Sequence, residues 1–336
     1  MNFQNLPPIE KEDFYLDYAI KQAHEQAERL RTSLGGNDKF RKSERIELIK
    51  VETLGKVLQE KCDAILTSFP DLESLPHFYL ELIKITIEYV QLKQALGAIA
   101  WIKKHTGILT QKTIQSMRRT PDVAALNGLR RSYYGRINSF LKKNKEAFTY
   151  LERCRKIMKG FPHIKTSLKT VCIIGFPNVG KTTLFYKLTG SKPEIQSYAF
   201  TTKGINVGYI SKHDFAKSTS NESTSKDTKK SKKEDTIQVL DTPGTLNRFD
   251  KMNMIEKQSY LAQKEVADML IYVFDLTESS YPLEDQEKLY QETKKIEKPL
   301  LVYLSKTDLL STENIKKFKL KHSSLQEIKD ALLKDV

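Results

Sequence analysis

The sequence predicts a two-part α + α/β protein: an N-terminal antiparallel helical bundle followed by an α/β domain with a mainly parallel sheet. Three observations carry this. From about residue 10 to 160, apolar side chains recur at three- and four-residue steps. Beyond Phe161-Pro162, short β-rich runs alternate with helical patterns. The first of those runs, Thr170–Phe176, leads into a glycine-rich turn that opens a helix.

In the helical half the periodicity is plain at Phe14, Tyr18 and Ile20, and again at Leu80, Ile83, Ile85 and Val90. Breaks fall at Gly35-Gly36-Asn37, Ser68-Phe69-Pro70-Asp71, Pro76 and Thr120-Pro121-Asp122, with Asp71 or Ser74 expected to cap the helix that follows. Four or five helices are expected over residues 1–160. Over residues 161–336, the runs Ile205–Ile210, Thr236–Asp241, Met269–Asp275 and Leu300–Leu304 read as further strands. Residues 211–234 are rich in Ser, Thr and Lys and nearly devoid of apolar side chains. They read as a disordered, solvated insertion between two strands that would otherwise form a tight hairpin. A basic finger on RNA is the alternative.

The chain has 336 residues, 29% of them charged and 39% hydrophobic, and a net charge of +14 with a pI near 9.4. Residues 1–90 hold 12 Lys and Arg against 16 Asp and Glu, whereas residues 91–160 hold 16 against 3. The basic excess is therefore local, and it points to a polyanionic partner. Within it, Arg118, Arg119, Arg130, Arg131, Arg136, Lys142, Lys143 and Lys145 are the candidate RNA-binding residues, with Tyr133 and Tyr134 interleaved. Cys62, Cys154 and Cys172 lack metal-type spacing, and Cys172 reads as a core residue. The N-terminus has no signal-peptide pattern, and no apolar run approaches the roughly 20 residues that span a bilayer. A cytoplasmic protein with no membrane partner is expected. With no coiled-coil seam, it is expected to be a monomer.

The glycine-rich turn is Gly175-Phe-Pro-Asn-Val-Gly-Lys-Thr182, a phosphate-binding loop between a strand and a helix. Gly175, Asn178, Val179, Gly180, Lys181, Thr182 and Thr183 are its expected cradle. Backbone N–H groups and the helix dipole face the phosphates, and Lys181 reaches the β- and γ-phosphates. The Thr182 hydroxyl is an expected Mg²⁺ ligand. Asp241-Thr-Pro-Gly244, at the end of a strand, adds Asp241 for the Mg²⁺ shell and Gly244 as a γ-phosphate sensor. Thr202, in Tyr198-Ala-Phe-Thr-Thr202, is expected to close over the γ-phosphate and complete the Mg²⁺ shell, with Thr201 the fallback. Ser305-Lys-Thr-Asp308 follows an apolar strand. Asp308 can accept two hydrogen bonds from a guanine edge, which adenine cannot supply, and Lys306 can pack along the base. Ser305 stands where Asn or Thr is usual. His322-Ser323-Ser324 is the candidate for a last base-contacting loop.

Three motifs in this order make a GTPase, and further segments make the chain resemble a specific family. GFPNVGKTTL, YAFTTKGINVG, DTPGT with MIEKQSYLA, and ADMLIYVFDLTESSYPLEDQ are similar to the Nog family of nucleolar GTP-binding proteins within the Obg group. So are ILTSFPDLESLPHFYLELI, LKQALGAI and LRRSYYGRINSFLKKNKEAFTYLERCRKIMKGFPHI in the helical half. The resemblance spans roughly residues 50 to 310. It implies GTP hydrolysis with Mg²⁺ and assembly of the large ribosomal subunit or its precursor, with the helical half gripping rRNA. The insertion at 211–234 falls outside the family pattern. The chain also stops soon after the GTPase domain, as an archaeal-type short form would.

For hydrolysis, Lys181, Thr202 and Gly244 are the expected catalytic residues. Thr245 occupies the position where many GTPases carry a water-orienting Gln. Slow intrinsic turnover with stimulation by a partner is therefore expected. Asn178 resembles the residue of potassium-activated GTPases, so K⁺ is a candidate cofactor; the alternative is a turn-stabilising Asn.

Overall fold

The computed structural model describes residues 3–33, 38–190, 194–195, 205–211, 236–243 and 254–334. Thr201, Thr202, Gly244 and Thr245 lie outside these residues, as does the expected insertion apart from Ser211.

The chain forms two compact units. One holds five helices among the described residues: α1 (Glu12–Ser33), α2 (Lys39–Ser68), α4 (Tyr89–Arg118), α5 (Val123–Lys143) and α6 (Lys145–Lys159). An alanine stripe, Ala19, Ala23 and Ala27, is fully buried and lets α1 approach α2 closely. Asp38 caps α2 by accepting from the Arg41 amide, and Asp122 caps α5 by accepting from the Ala125 amide. Helices α5 and α6 are separated by Asn144 alone, whose side-chain amide donates to the Phe140 carbonyl at 2.8 Å.

The intervening helix α3 (His77–Thr86) belongs to the other unit, so a single cut at residue 160 does not describe the two units. Tyr79 supplies the reason. Its hydroxyl lies 3.0 Å from the Pro162 and Ile164 carbonyls, and its ring packs edge-on against Phe3, which also meets Phe161. Neither expected cap serves this helix in the expected way. The Asp71 carboxylate accepts from the Glu73 amide and closes an earlier turn. Pro76 opens the first turn of α3 instead, its carbonyl accepting from Tyr79 and Leu80.

The rest of that unit is a six-stranded sheet in the order β2-β3-β4-β1-β5-β6. Its strands are β1 (Thr170–Ile174), β2 (Glu194–Ile195), β3 (Asn206–Ser211), β4 (Thr236–Asp241), β5 (Met269–Asp275) and β6 (Leu300–Ser305). Strands β4, β1, β5 and β6 are mutually parallel, while β2-β3 and β3-β4 pair antiparallel. Ser211 pairs with Thr236, so the segment between them does connect two hairpin neighbours. Every residue of β1 and β5 is buried, as expected for central strands covered on both faces. Helices α7 (Lys181–Thr189), α8 (Met254–Glu265), α9 (Leu283–Lys294), α10 (Thr312–Lys317) and α11 (Leu325–Lys334) complete the described part. All three cysteines are buried and free, and burial pushes the Cys172 thiol up to about 12.

Candidate nucleotide site and basic face

Because the four parallel strands run the same way, their carboxyl ends deliver β1, β4, β5 and β6 loops to one edge of the sheet, where ligands bind in open α/β folds. The phosphate loop leaves β1 there. Gly175 has φ 149°, and a Cβ on it would sit 2.8 Å from the Val273 carbonyl. Gly180, at φ 93°, initiates α7 in the left-handed region. Asn178 also has a positive φ, 63°, a conformation Asn tolerates better than most residues. Lys181 is buried and donates to the Phe176 carbonyl at 2.5 Å, which folds its side chain back over the loop.

Thr182 and Asp241 meet as the motif spacing predicts. The Thr182 hydroxyl donates to Asp241 Oδ2 at 2.7 Å, and the Asn206 side chain donates to the same oxygen at 3.0 Å. Asp241 Oδ1 is fully buried and has no hydrogen-bond partner among the described residues. Burial pushes this carboxyl above the ordinary carboxylate value, against the bonds from Thr182 and Asn206 and the charge of Lys181. An unsatisfied buried carboxylate oxygen beside a hydroxyl fits a hard divalent cation, whose remaining ligands come from phosphates and water. Thr242 anchors the following turn by donating its hydroxyl to Ile173 at 2.9 Å.

Ser305, at the end of β6, has a structural role that its residue type alone does not announce. Its hydroxyl lies 2.6 Å from the Val179 carbonyl and 3.0 Å from the Phe274 carbonyl, tying the phosphate loop to the base-side motif. A hydroxyl has one proton for two acceptors, where an Asn amide would offer two. Lys306 donates to Asp275 Oδ2 at 2.6 Å and Ser279 Oγ at 2.9 Å. Burial works to raise the Asp275 carboxyl, yet hydrogen bonds from Lys306 and Thr277 hold it below its ordinary value. Asp308 follows in a 3-10 turn, Thr307–Leu309, and is exposed. Ser323 hydrogen-bonds through its amide to the Val302 carbonyl at 2.8 Å, bringing His322-Ser323-Ser324 beside β6.

Sequence reasoning missed Gln286. It is fully buried on α9 and brackets the end of β5: its Oε1 accepts from the Asp275 amide, and its Nε2 donates to the Asp275 carbonyl, each at 2.9 Å. An amphipathic pattern gives no signal for this, although a Gln on the apolar face of a helix is an anomaly that could have been flagged.

On the helical unit, Arg118, Arg119, Arg131, Arg136, Lys142, Lys143 and Lys145 are exposed. Arg130 is not equivalent to them. It is ion-paired with the buried Glu47, which also accepts from Lys50 at 2.6 Å, and it lies over the Tyr134 ring at 5.4 Å. Tyr133 is buried, with its hydroxyl 2.8 Å from that of Thr110. Core packing thus claims Tyr133, and Tyr134 is engaged with Arg130.

Residues 3–165 match a family model described as the NOG1 N-terminal helical domain, and residues 170–306 match one described as a 50S ribosome-binding GTPase. An uncharacterised protein of Methanocaldococcus jannaschii is 31% identical over 94% of this chain and 83% of its own length. Nucleolar GTP-binding protein 1 of Caenorhabditis elegans is 28% identical over 77% of this chain, and that of Saccharomyces cerevisiae 26% identical over 94%. The matched part spans only 36% and 46% of those two proteins. Among the described residues, no helix is long and apolar enough to cross a membrane.

Proposed function

Because the chain belongs to the Nog family of GTP-binding proteins, we propose that it hydrolyses GTP and uses its nucleotide state to engage and leave the large ribosomal subunit or its precursor. The observation that carries this reading is the convergence of three loops at the carboxyl edge of the sheet: Gly175–Thr182, Asp241 and Ser305–Asp308.

In the mechanism we infer, the backbone amides of the phosphate loop hold the polyphosphate, and Lys181 leaves the Phe176 carbonyl to reach the β- and γ-phosphates. Thr182 and Asp241 would hold Mg²⁺, with Thr202 as a third contributor by its position in the sequence. When bound, the ion neutralises charge on the β- and γ-phosphate oxygens. Gly244 senses the γ-phosphate through its amide. Asp308 selects guanine over adenine, and Lys306 packs along the base once the nucleotide enters. With Thr245 in place of a water-orienting Gln, intrinsic turnover is slow, on the order of 10⁻⁴–10⁻³ s⁻¹, and the pre-ribosome accelerates it. The exposed arginines and lysines of α4, α5 and the start of α6 supply phosphate contacts with little sequence readout.

GTP hydrolysis by the purified chain, with and without large ribosomal subunits at low and moderate salt, tests this. Stimulation that is lost at moderate salt, and lost in Lys181→Ala, is the expected result. Tight, GTP-selective binding with no stimulation would instead make the chain a nucleotide-switched binding module. The same assay in potassium and sodium chloride at matched ionic strength tests Asn178 as a K⁺ ligand, and equal rates would discard it.

A further inference from the structure

Helices α4 and α5 contain no Asp or Glu between them, while α5 alone carries Arg130, Arg131, Arg136, Lys142 and Lys143. On the surface these two helices share lies an aromatic group that the lysine and arginine count does not reveal. Trp101 stacks on His105, one helical turn away, with ring centroids 4.0 Å apart and planes 24° from parallel. Phe140 of α5 meets both rings edge-on, at 5.1 Å and 6.3 Å. Trp101 remains 36% exposed, and Ile108, one turn beyond His105, is 40% exposed. In a helical bundle, side chains of this size normally face inward.

The flanking residues are cationic. Helical spacing sets Arg136 one turn before Phe140 and Lys143 one turn after it, both exposed, and the exposed Lys104 lies beside Trp101. Lys143 and Ala98 also line an adjoining open groove of about 780 Å³. Lys11, Lys145 and Arg153 reach into that groove, against the carboxylates of Glu12 and Glu146.

Aromatic faces among cations, with no carboxylate on either helix, are complementary to unpaired nucleobases joined by phosphates. A duplex would present phosphates but hide its base faces. We propose that Trp101, His105 and Phe140 form a stacking platform for unpaired RNA bases, with Arg136, Lys143 and the adjoining groove holding the phosphates on either side. This rests on the RNA-partner reading above and sharpens it: the helical unit selects single-stranded or looped RNA over helical RNA.

Trp101 is the only tryptophan in the chain, so it reports on its own occupancy. The full chain would be titrated with short oligoadenylate and with a blunt RNA duplex of equal length. Anisotropy of labelled RNA measures binding, and tryptophan fluorescence measures contact. Oligoadenylate should quench Trp101 at saturation and the duplex should not. Trp101→Ala should weaken oligoadenylate binding roughly tenfold, within the range of base–aromatic stacking, and leave duplex binding unchanged. Trp101→Tyr should restore the affinity, which separates lost stacking from lost folding, and Arg136→Ala should weaken both RNAs alike. Oligoadenylate binding that leaves the fluorescence unchanged, or that Trp101→Ala does not weaken, overturns the platform while leaving the basic face an RNA surface. Quenching by large-subunit proteins but by no RNA overturns it in favour of a protein partner. Failure of both RNAs to bind removes the platform together with the RNA reading on which it rests.

Discussion

Glu47 in the helical unit and Asp241 in the sheet unit are both buried carboxylates, 7% and 4% exposed, yet they are held in opposite ways. Both oxygens of Glu47 are engaged, one by Lys50 and the other by Arg130. Burial works to raise its pKa, but those hydrogen bonds outweigh it and leave the carboxyl below its ordinary value. Asp241 has one oxygen shared by Thr182 and Asn206 and one with no partner, and its carboxyl is pushed upward. A buried charge whose partners are all supplied inside the fold is costly to remove, because its loss leaves those partners buried and unpaired. One left half-satisfied at the mouth of a phosphate loop costs stability until a ligand arrives.

The largest expected effect follows from breaking the paired carboxylate. Glu47→Ala strands two cations that are only 11% and 18% exposed and should cost about 3 kcal/mol, the low end for a broken buried pair because Arg130 keeps some solvent. Chemical denaturation would show the loss, and guanine-nucleotide affinity should be retained where the protein remains folded. Asp241→Asn should do the reverse. It should lower Mg²⁺-dependent affinity for the nucleotide about 10- to 100-fold, as removal of a metal-supporting carboxylate does. The melting temperature of the nucleotide-free protein should stay level or rise, and a clear drop there would dissolve the contrast.

Acid should distinguish Glu47 more gently. Its folded pKa lies below the unfolded value near 4.5. Its contribution is therefore fully present above pH 4.5 and fades as pH falls through the lower, folded pKa. Glu47→Gln should flatten this acid limb of stability, read by urea midpoints across the range. The smallest effect concerns Ser305. Ser305→Asn supplies a second donor for the Val179 and Phe274 carbonyls and should slow nucleotide release a few-fold, on the scale of one hydrogen bond at about 1 kcal/mol. Stopped-flow release of a fluorescent GDP analogue would measure it, and faster release would mean that the larger side chain distorts the phosphate loop.

Much of the site was legible because it is local in the chain. Gly175–Thr182 adopts its loop from glycine conformational freedom and from the helix it opens. Asp241 and Ser305 each end an apolar β-run whose register the sequence already implied. What was not legible depends on contacts between distant segments. Arg130 counted with the other basic residues until Glu47, 83 positions away, was seen beside it. Tyr133 and Tyr134 are interleaved alike with the basic residues, and only the contact with Thr110 and the bundle core marks Tyr133 as the core residue of the two. Gln286 showed no motif at all, because its partners are the backbone groups of Asp275.

By itself, then, the sequence determined the α + α/β class, the strand runs other than the two-residue β2, the phosphate loop and the concentration of positive charge in residues 91–160. All of these follow from backbone preference, periodicity and composition over a few neighbouring residues. Only the tertiary structure decided that α3 joins the sheet unit through Tyr79, and that Arg130 serves the bundle while Trp101 faces outward. It alone also showed that Asp241 keeps an oxygen unpaired among the described residues. Burial and hydrogen-bond satisfaction are set by which distant segments meet, and periodicity along one segment does not encode the identity of the other.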